Sequence, residues 1–195
     1  AKLVLGARRV EQSEAVVQEI QALGTDAIFV RTDVSKPGDL AALVARAVDR
    51  FGRLDCAVNN AGITGPVLVP LAEVEETAWD ELIAVNLTAV FVGMKYQIPA
   101  MLASGGGAIV NIASIYGLRP ADLGNTPYIV SKHGVIALTK SAAVDYAQAG
   151  IRINAVCPGF THSEMVDPYV EAAPDLMKAT IARHSASNRL GEAAE

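Results

Sequence analysis

The chain has 195 residues, 51% hydrophobic and 19% charged, with a formal net charge of −5. Such length and apolar content suit one domain with a substantial buried core and exclude a disordered chain. Scattered basic residues under a net negative charge argue against a nucleic-acid partner and an anionic membrane surface, and no apolar run approaches a membrane span or forms a signal peptide.

The first apolar run, Leu3-Val4-Leu5, starts almost at Ala1 and reads as a strand. A helical pattern from about Glu11 to Leu23 follows, with Gly24 as its stop. Ala27-Ile28-Phe29-Val30 is the second strand, and a helix starts near Pro37, behind Ser35 or Lys36, and ends around Phe51-Gly52. Cys56-Ala57-Val58 is the third strand. The longest helical pattern runs from about Glu76 to Leu102, with an interruption expected near Pro99. Ala108 to Ile112 is the fourth strand. A helix opened by Pro127 behind a Thr126 cap continues to near Gly150, and Ile151 to Cys157 is the fifth strand.

These strands are too continuously apolar to have one face in water. Their alternation with helices predicts an α/β fold: a doubly wound, Rossmann-like parallel sheet with helices on both faces, in a single domain spanning 1–195. Cys56 and Cys157 both fall in strand runs and are expected to be buried, reduced thiols, as in a cytoplasmic protein.

Tyr128-Ile129-Val130-Ser131-Lys132 carries the strongest chemical signal. On a helix, Tyr128 and Lys132 share one face, and a neighbouring ammonium favours phenolate, lowering a phenol pKa that is otherwise near 10. Alone, the pair also fits an ordinary solvated helix face. Three strand ends point the same way, however. Asn59-Asn60-Ala61-Gly62 follows the third strand, Ser114 the fourth and Pro158-Gly159 the fifth. Small and polar residues at the carboxyl ends of parallel strands are where open α/β sheets take ligands.

In their order and spacing, Asn59-Asn60-Ala61-Gly62, Asn86, Ser114, Tyr128, Lys132 and Pro158-Gly159 resemble the short-chain dehydrogenase/reductase (SDR) family. The resemblance implies an oxidoreductase that moves a hydride between a nicotinamide cofactor and a carbonyl/alcohol substrate. Tyr128 would be the acid/base, Lys132 would lower its pKa and hold the nicotinamide ribose, and Ser114 would bond the substrate oxygen. Asn86 would hold a water in the proton relay; its alternative is an amide satisfying the backbone at a helix kink.

Among cofactor contacts, the resemblance places Asp33 and Val34 beside adenine, Asn60, Ala61 and Gly62 along the adenosine, and Pro158 and Gly159 against nicotinamide. Ser163, with Thr161 as competitor, would touch the carboxamide. The stretch Gly6-Ala7-Arg8-Arg9 has no acid for a ribose 2′-hydroxyl, whereas the two guanidinium groups of Arg8 and Arg9 suit a 2′-phosphate. NADP is therefore expected over NAD, although either arginine also fits the start of a solvated helix. Ile115, Tyr116, Leu118 and 165–181 are expected to shape the substrate pocket. No metal site is expected, and His133, His162 and His184 receive no role. Trp79 is read as packing.

The same resemblance matches the first run here to the family's second strand. It implies that the glycine-rich turn and central strand before it, and a final strand after Asn188-Arg189-Leu190-Gly191-Glu192, lie outside the chain. A sheet lacking its central strand would split into two groups facing a gap, with weakened dinucleotide binding. A homodimer or homotetramer is expected through the two long helices. A nucleotide sensor without turnover is the competing reading, disfavoured by Ser114, Tyr128 and Lys132 occurring together.

Overall fold

A computed structural model describes residues 1–120, 124–185 and 187–195. Five strands alternate with helices: β1 (Lys2–Ala7), α1 (Val10–Ala22), β2 (Asp26–Arg31), α2 (Pro37–Phe51), β3 (Cys56–Asn59), α3 (Glu76–Ile83), α4 (Ala89–Ala103), β4 (Gly107–Ile112), α5 (Thr126–Tyr146), β5 (Ile151–Val156), α6 (Asp167–Ala172) and α7 (Pro174–His184). Gly24 (φ 81) and Gly52 (φ 79) adopt the left-handed conformation that stops α1 and α2 where the sequence placed those stops.

The long helical pattern is continuous from α3 through α4, and its irregularity is not at Pro99. That proline lies inside α4, whereas the chain widens into a π turn at Ala84–Thr88. A π turn admits an extra residue and re-aims the side chains on it; here it brings Asn86 into the interior, 1% exposed. By length and composition the 28-residue rod Glu76–Ala103 could cross a membrane, contrary to the sequence reading. Half of its most apolar window is nevertheless buried in the domain, where Val90, Met94, Ile98 and Met101 enter the core.

Asn125, not Thr126, occupies the cap position of α5. Its carboxamide turns away from the helix to donate to the Thr64 and Pro66 carbonyls, each at 3.3 Å. The helix stops at Tyr146, and one 3₁₀ turn, Ala147–Ala149, carries the chain to a left-handed Gly150.

All strand pairs are parallel, but they form two sheets: β1 pairs with β2, and β3–β4–β5 form the other. A single ladder is therefore replaced by two groups with a cleft between them, the split that the sequence reading expected. Val58 on β3 is 64% exposed as a result. Cys56 on the same strand is exposed and Cys157 half-buried, both as free thiols, so neither is the buried core residue the sequence suggested.

Helices join the two groups. Leu40 of α2 packs against Ala89 and Val92 of α4, with Val34 and Tyr96 around them. The larger core lies under the three-stranded sheet, where Met94, Ile98 and Met101 meet Ile109, Ile151 and Ile153. A polar chain runs through it. Gln97 and Asn59 exchange amide hydrogen bonds at 2.8 and 3.2 Å, Asn59 donates to Asn111 at 2.8 Å, and Asn111 donates to Thr139 at 2.9 Å. Satisfied networks of this kind fix one arrangement of the elements that carry them.

Candidate active site

Ser114 leaves the end of β4 and its hydroxyl accepts from the Tyr116 amide at 3.2 Å, capping the turn Ile115–Gly117. That turn lies directly on α5. A Cβ on Gly117 would stand 2.7 Å from the Lys132 carbonyl oxygen, so only glycine permits the approach. Tyr128, in the first turn of α5, consequently lines the same pocket as Ser114, whose hydroxyl is near enough to act on the phenol. Lys132, one turn further on, places its ammonium 5.5 Å from the Tyr128 ring centroid and donates to the Ile112 carbonyl at 2.9 Å. Ser114, Tyr128 and Lys132 thus meet, as their spacing implied.

The electrostatics differ from expectation. Burial pushes the Tyr128 phenol above its ordinary value, and the neighbouring Ser114 hydroxyl pulls it partly back. Burial likewise lowers Lys132 to about 8, with Cys157 acting in the opposite direction. The ammonium lies over the tyrosine ring and is committed to a backbone carbonyl. It is therefore a cation–π neighbour in this arrangement rather than a direct partner of the phenol oxygen.

Asn86 accepts from the Ile63 amide at 2.8 Å and donates to the Ile63 carbonyl at 2.9 Å. Its amide also reaches the Ser131 hydroxyl at 3.4 Å. Backbone satisfaction, the alternative raised from sequence, describes these contacts, although the backbone served belongs to the loop after β3 and not to the helix.

A cleft of about 360 Å³ lies at the carboxyl ends of β1, β2 and β3. Arg8, Asp33, Val34, Asn60, Ala61 and Gly62 line it, and Val4 and Val58 extend it into the gap between the sheets. Asp33 Oδ1 accepts from the Ser35 amide and hydroxyl at 3.1 and 2.7 Å, which holds the carboxyl below its usual range, with Lys36 and Arg8 adding to the effect. Arg9 heads α1 and pairs with Glu164 at 3.1 Å on the surface. A Cβ on Gly62 would sit 3.5 Å from Asn86 Oδ1 and 3.6 Å from the Lys132 ammonium, so the cleft runs up to the Tyr128–Lys132 pair.

At the other end, the Pro158 carbonyl accepts from the Ile115 amide at 3.0 Å, and the space beside Gly159 is open, with no atom within 4 Å of where a Cβ would stand. These features fit an elongated dinucleotide with a flat ring near Gly159. Thr161 and Ser163 are placed elsewhere. Thr161 bridges to Gly191, and the Ser163 hydroxyl is engaged with Thr161 and Val166 at 3.3 Å each; neither lines the cleft or the pocket.

In front of Ser114 and Tyr128 opens a pocket of about 210 Å³. Ile115 and Tyr116 line it as expected, together with Met165, Val166, Tyr169, Leu176 and Met177 from 165–181. Leu118 does not; it is exposed. Sequence reasoning missed Thr64, Val67, Leu68 and Asn125, which also line the pocket. Glycine and proline at positions 65 and 66, so soon after the Asn60-Ala61-Gly62 turn, were the available signal that this loop folds back over the site. Among the described residues no three metal-ligating side chains cluster. His162 pairs with Asp167 at 2.9 Å, and Trp79 is half-buried.

A family model described as short chain dehydrogenase matches residues 1–174. A curated relative, cyclohexanol dehydrogenase of Acinetobacter sp. (strain SE19), is 46% identical over 83% of this chain, and the match spans 64% of that relative's length. Among solved structures, levodione reductase superposes with a TM-score of 0.87 at 35% identity, covering 98% of this chain and 76% of that one. ElxO with NADP bound gives 0.86 at 32% identity, covering 97% and 75%. With the strand order, the meeting of Ser114, Tyr128 and Lys132, and these similarities, the chain belongs to the short-chain dehydrogenase/reductase family.

Proposed function

We propose that the chain is the catalytic part of a nicotinamide-dependent oxidoreductase acting on a carbonyl/alcohol pair. The observation that carries this reading is the convergence of the Ser114 and Tyr128 side chains on one apolar pocket, with the Lys132 ammonium 5.5 Å from the Tyr128 ring centroid. Arg8, Asp33, Val34 and Asn60 to Gly62 would hold a nicotinamide dinucleotide in the cleft, and it would supply or accept the hydride. Ser114 donates to the substrate oxygen and orients it, and Tyr128 gives that oxygen its proton during reduction or takes it during oxidation. Lys132, charged below about pH 8, favours the phenolate left behind. Asn86 positions the loop at Gly62 and Ile63, and the apolar pocket walls keep bulk water from the reacting carbon.

NADP is the cofactor we infer. Arg8 lies in the cleft, and no acidic residue occupies the end of β1, where it would oppose a 2′-phosphate. Replacement Arg8→Glu should then shift the preference towards NAD. The exposed Phe91 of α4 and Val130 and Val144 of α5 support assembly into a homodimer or homotetramer, and a cytoplasmic site of action completes the proposal.

Oxidation of an alcohol panel, followed through the absorbance of reduced nicotinamide, tests the central claim. Tyr128→Phe should lower kcat by about 10²-fold or more. Turnover indifferent to that substitution removes the basis for the reading.

A further inference from the structure

The pocket in front of Ser114 and Tyr128 has a chemical character that proton transfer does not itself require. Among the described residues, its lining contains no Asp, Glu, Lys, Arg or His. Several of its polar groups are already partnered. Thr64 Oγ1 and Tyr169 Oη bond each other at 3.0 Å, joining α6 to the loop after β3. The Asn125 amide is taken by two loop carbonyls. Tyr116 turns its ring edge-on to Phe160, with centroids 5.8 Å apart. The Ser114–Tyr128 pair remains as the polar head of an otherwise apolar chamber.

A charged substrate entering there would give up hydration and meet no opposite charge in the lining. A neutral ketone gives up far less, and its one acceptor oxygen finds two hydroxyls. Size narrows the class further. A dry cavity of roughly 150 Å³ accommodates benzene, so about 210 Å³ takes a six-membered ring with a short substituent. Leu68, held at φ 61, and the half-exposed Met165 and Leu176 also belong to the lining, so apolar side chains border the route to solvent.

We infer that the substrate of this site is a neutral, compact, predominantly apolar ketone or secondary alcohol, such as an alicyclic ring, and not a keto acid or an aminoketone. This assignment rests on the oxidoreductase reading above, but binding can be measured apart from turnover.

Three probes of matched size serve the test: a six-membered cyclic ketone, the same ketone carrying a carboxylate, and the same ketone carrying an ammonium group. Their affinities for the purified chain are read by ligand-observed NMR titration without cofactor. The neutral ketone should bind about ten-fold or more tightly than either charged analogue. Leu176→Arg, which brings a cation to the lining, should narrow the deficit of the carboxylate by about the same factor. Equal or tighter binding of a charged analogue overturns the assignment, as does failure of the neutral ketone to bind up to its solubility limit. The ranking should be the same in Tyr128→Phe, whose loss of turnover tests the oxidoreductase reading; a reversed ranking with turnover intact therefore sinks the substrate class alone.

Discussion

Asn86 and Ile63 are hydrogen-bonded to each other twice, carboxamide oxygen to amide nitrogen at 2.8 Å and carboxamide nitrogen to carbonyl oxygen at 2.9 Å. The π turn in the long helix and the loop after β3 are thereby locked together beside Lys132, where Gly62 comes within contact range of both side chains. Asn86→Ala would leave a donor and an acceptor unpaired at a position only 1% exposed. A loss of about 2–4 kcal/mol is expected, at roughly 1–3 kcal/mol for each unmet group. Urea denaturation measures it, and a cost below about 0.5 kcal/mol would mean that the loop is held by something else.

Lys132 is 4% exposed, and burial lowers its pKa from 10.5 to about 8. Below pH 8 it is charged in both the folded and unfolded chain, so the full cost of burying the ammonium applies. Between pH 8 and 10.5 the folded chain has released the proton while the unfolded chain retains it, so this group's contribution to stability rises with pH. Lys132→Met removes the penalty but also the bond to Ile112, for a net gain on the order of 2 kcal/mol at pH 7. Paired denaturation curves should show that advantage shrinking as pH rises towards 10.5, with turnover lost throughout. A variant less stable than the parent at pH 7 would contradict this account.

Gly117 sets the distance between the Ser114 turn and α5. In Gly117→Ala the new methyl would stand 2.7 Å from a backbone oxygen of Lys132 and equally close to Ile136 Cδ1. Backbone cannot yield as a flexible side chain does, so the turn must move outwards, at a cost of about 1–3 kcal/mol. Separation of the two hydroxyls should lower kcat by about ten-fold or more, since proton transfer needs hydrogen-bond geometry. Unchanged kcat in a folded Gly117→Ala protein would show that the spacing is not limiting.

Leu68 is a branched residue at φ 61 and is 60% exposed, an unfavourable combination at the substrate pocket. Leaving the left-handed region unoccupied by Cβ recovers about 1 kcal/mol, part of which the freer unfolded glycine chain takes back. Leu68→Gly should therefore be neutral or slightly stabilising, while KM for an apolar substrate rises several-fold and kcat holds. A large fall in thermal stability would instead assign the leucine a packing role.

Much of this site was legible because its determinants are local. Tyr128 and Lys132 need only helical spacing, and Ser114, Gly62 and Gly159 need only the ends of strands. What escaped depends on contacts between distant segments. Thr64 and Leu68 belong to a loop held at the pocket by distant segments, among them Asn86 on Ile63, Tyr169 on Thr64 and the Gly124 carbonyl, which accepts from the Val69 amide at 3.1 Å. Asn59 was read as part of a ligand-facing turn, yet its side chain is spent on Gln97 and Asn111 inside the core. Pro99 illustrates a rule overridden by packing: α4 absorbs it next to the buried Ile98, and the break falls instead at Asn86, where the carboxamide has a backbone to serve. Ser163 and Thr161 occupied suitable positions in sequence, but local turn bonds and the bridge to Gly191 claim them.

Because β1–β2 and β3–β4–β5 share no ladder, mutual alignment of the two halves depends on the seam of side chains between α2 and α4. A molecule stretched from Arg8 to Tyr128 would act as a strut across that seam. Ligand affinity and the cohesion of the halves then become one linked equilibrium, in which every gain in occupancy is also a gain in rigidity. Amide exchange would register it unevenly, slowing along β1 and β2 on ligand binding while β4, paired on both sides, changes least.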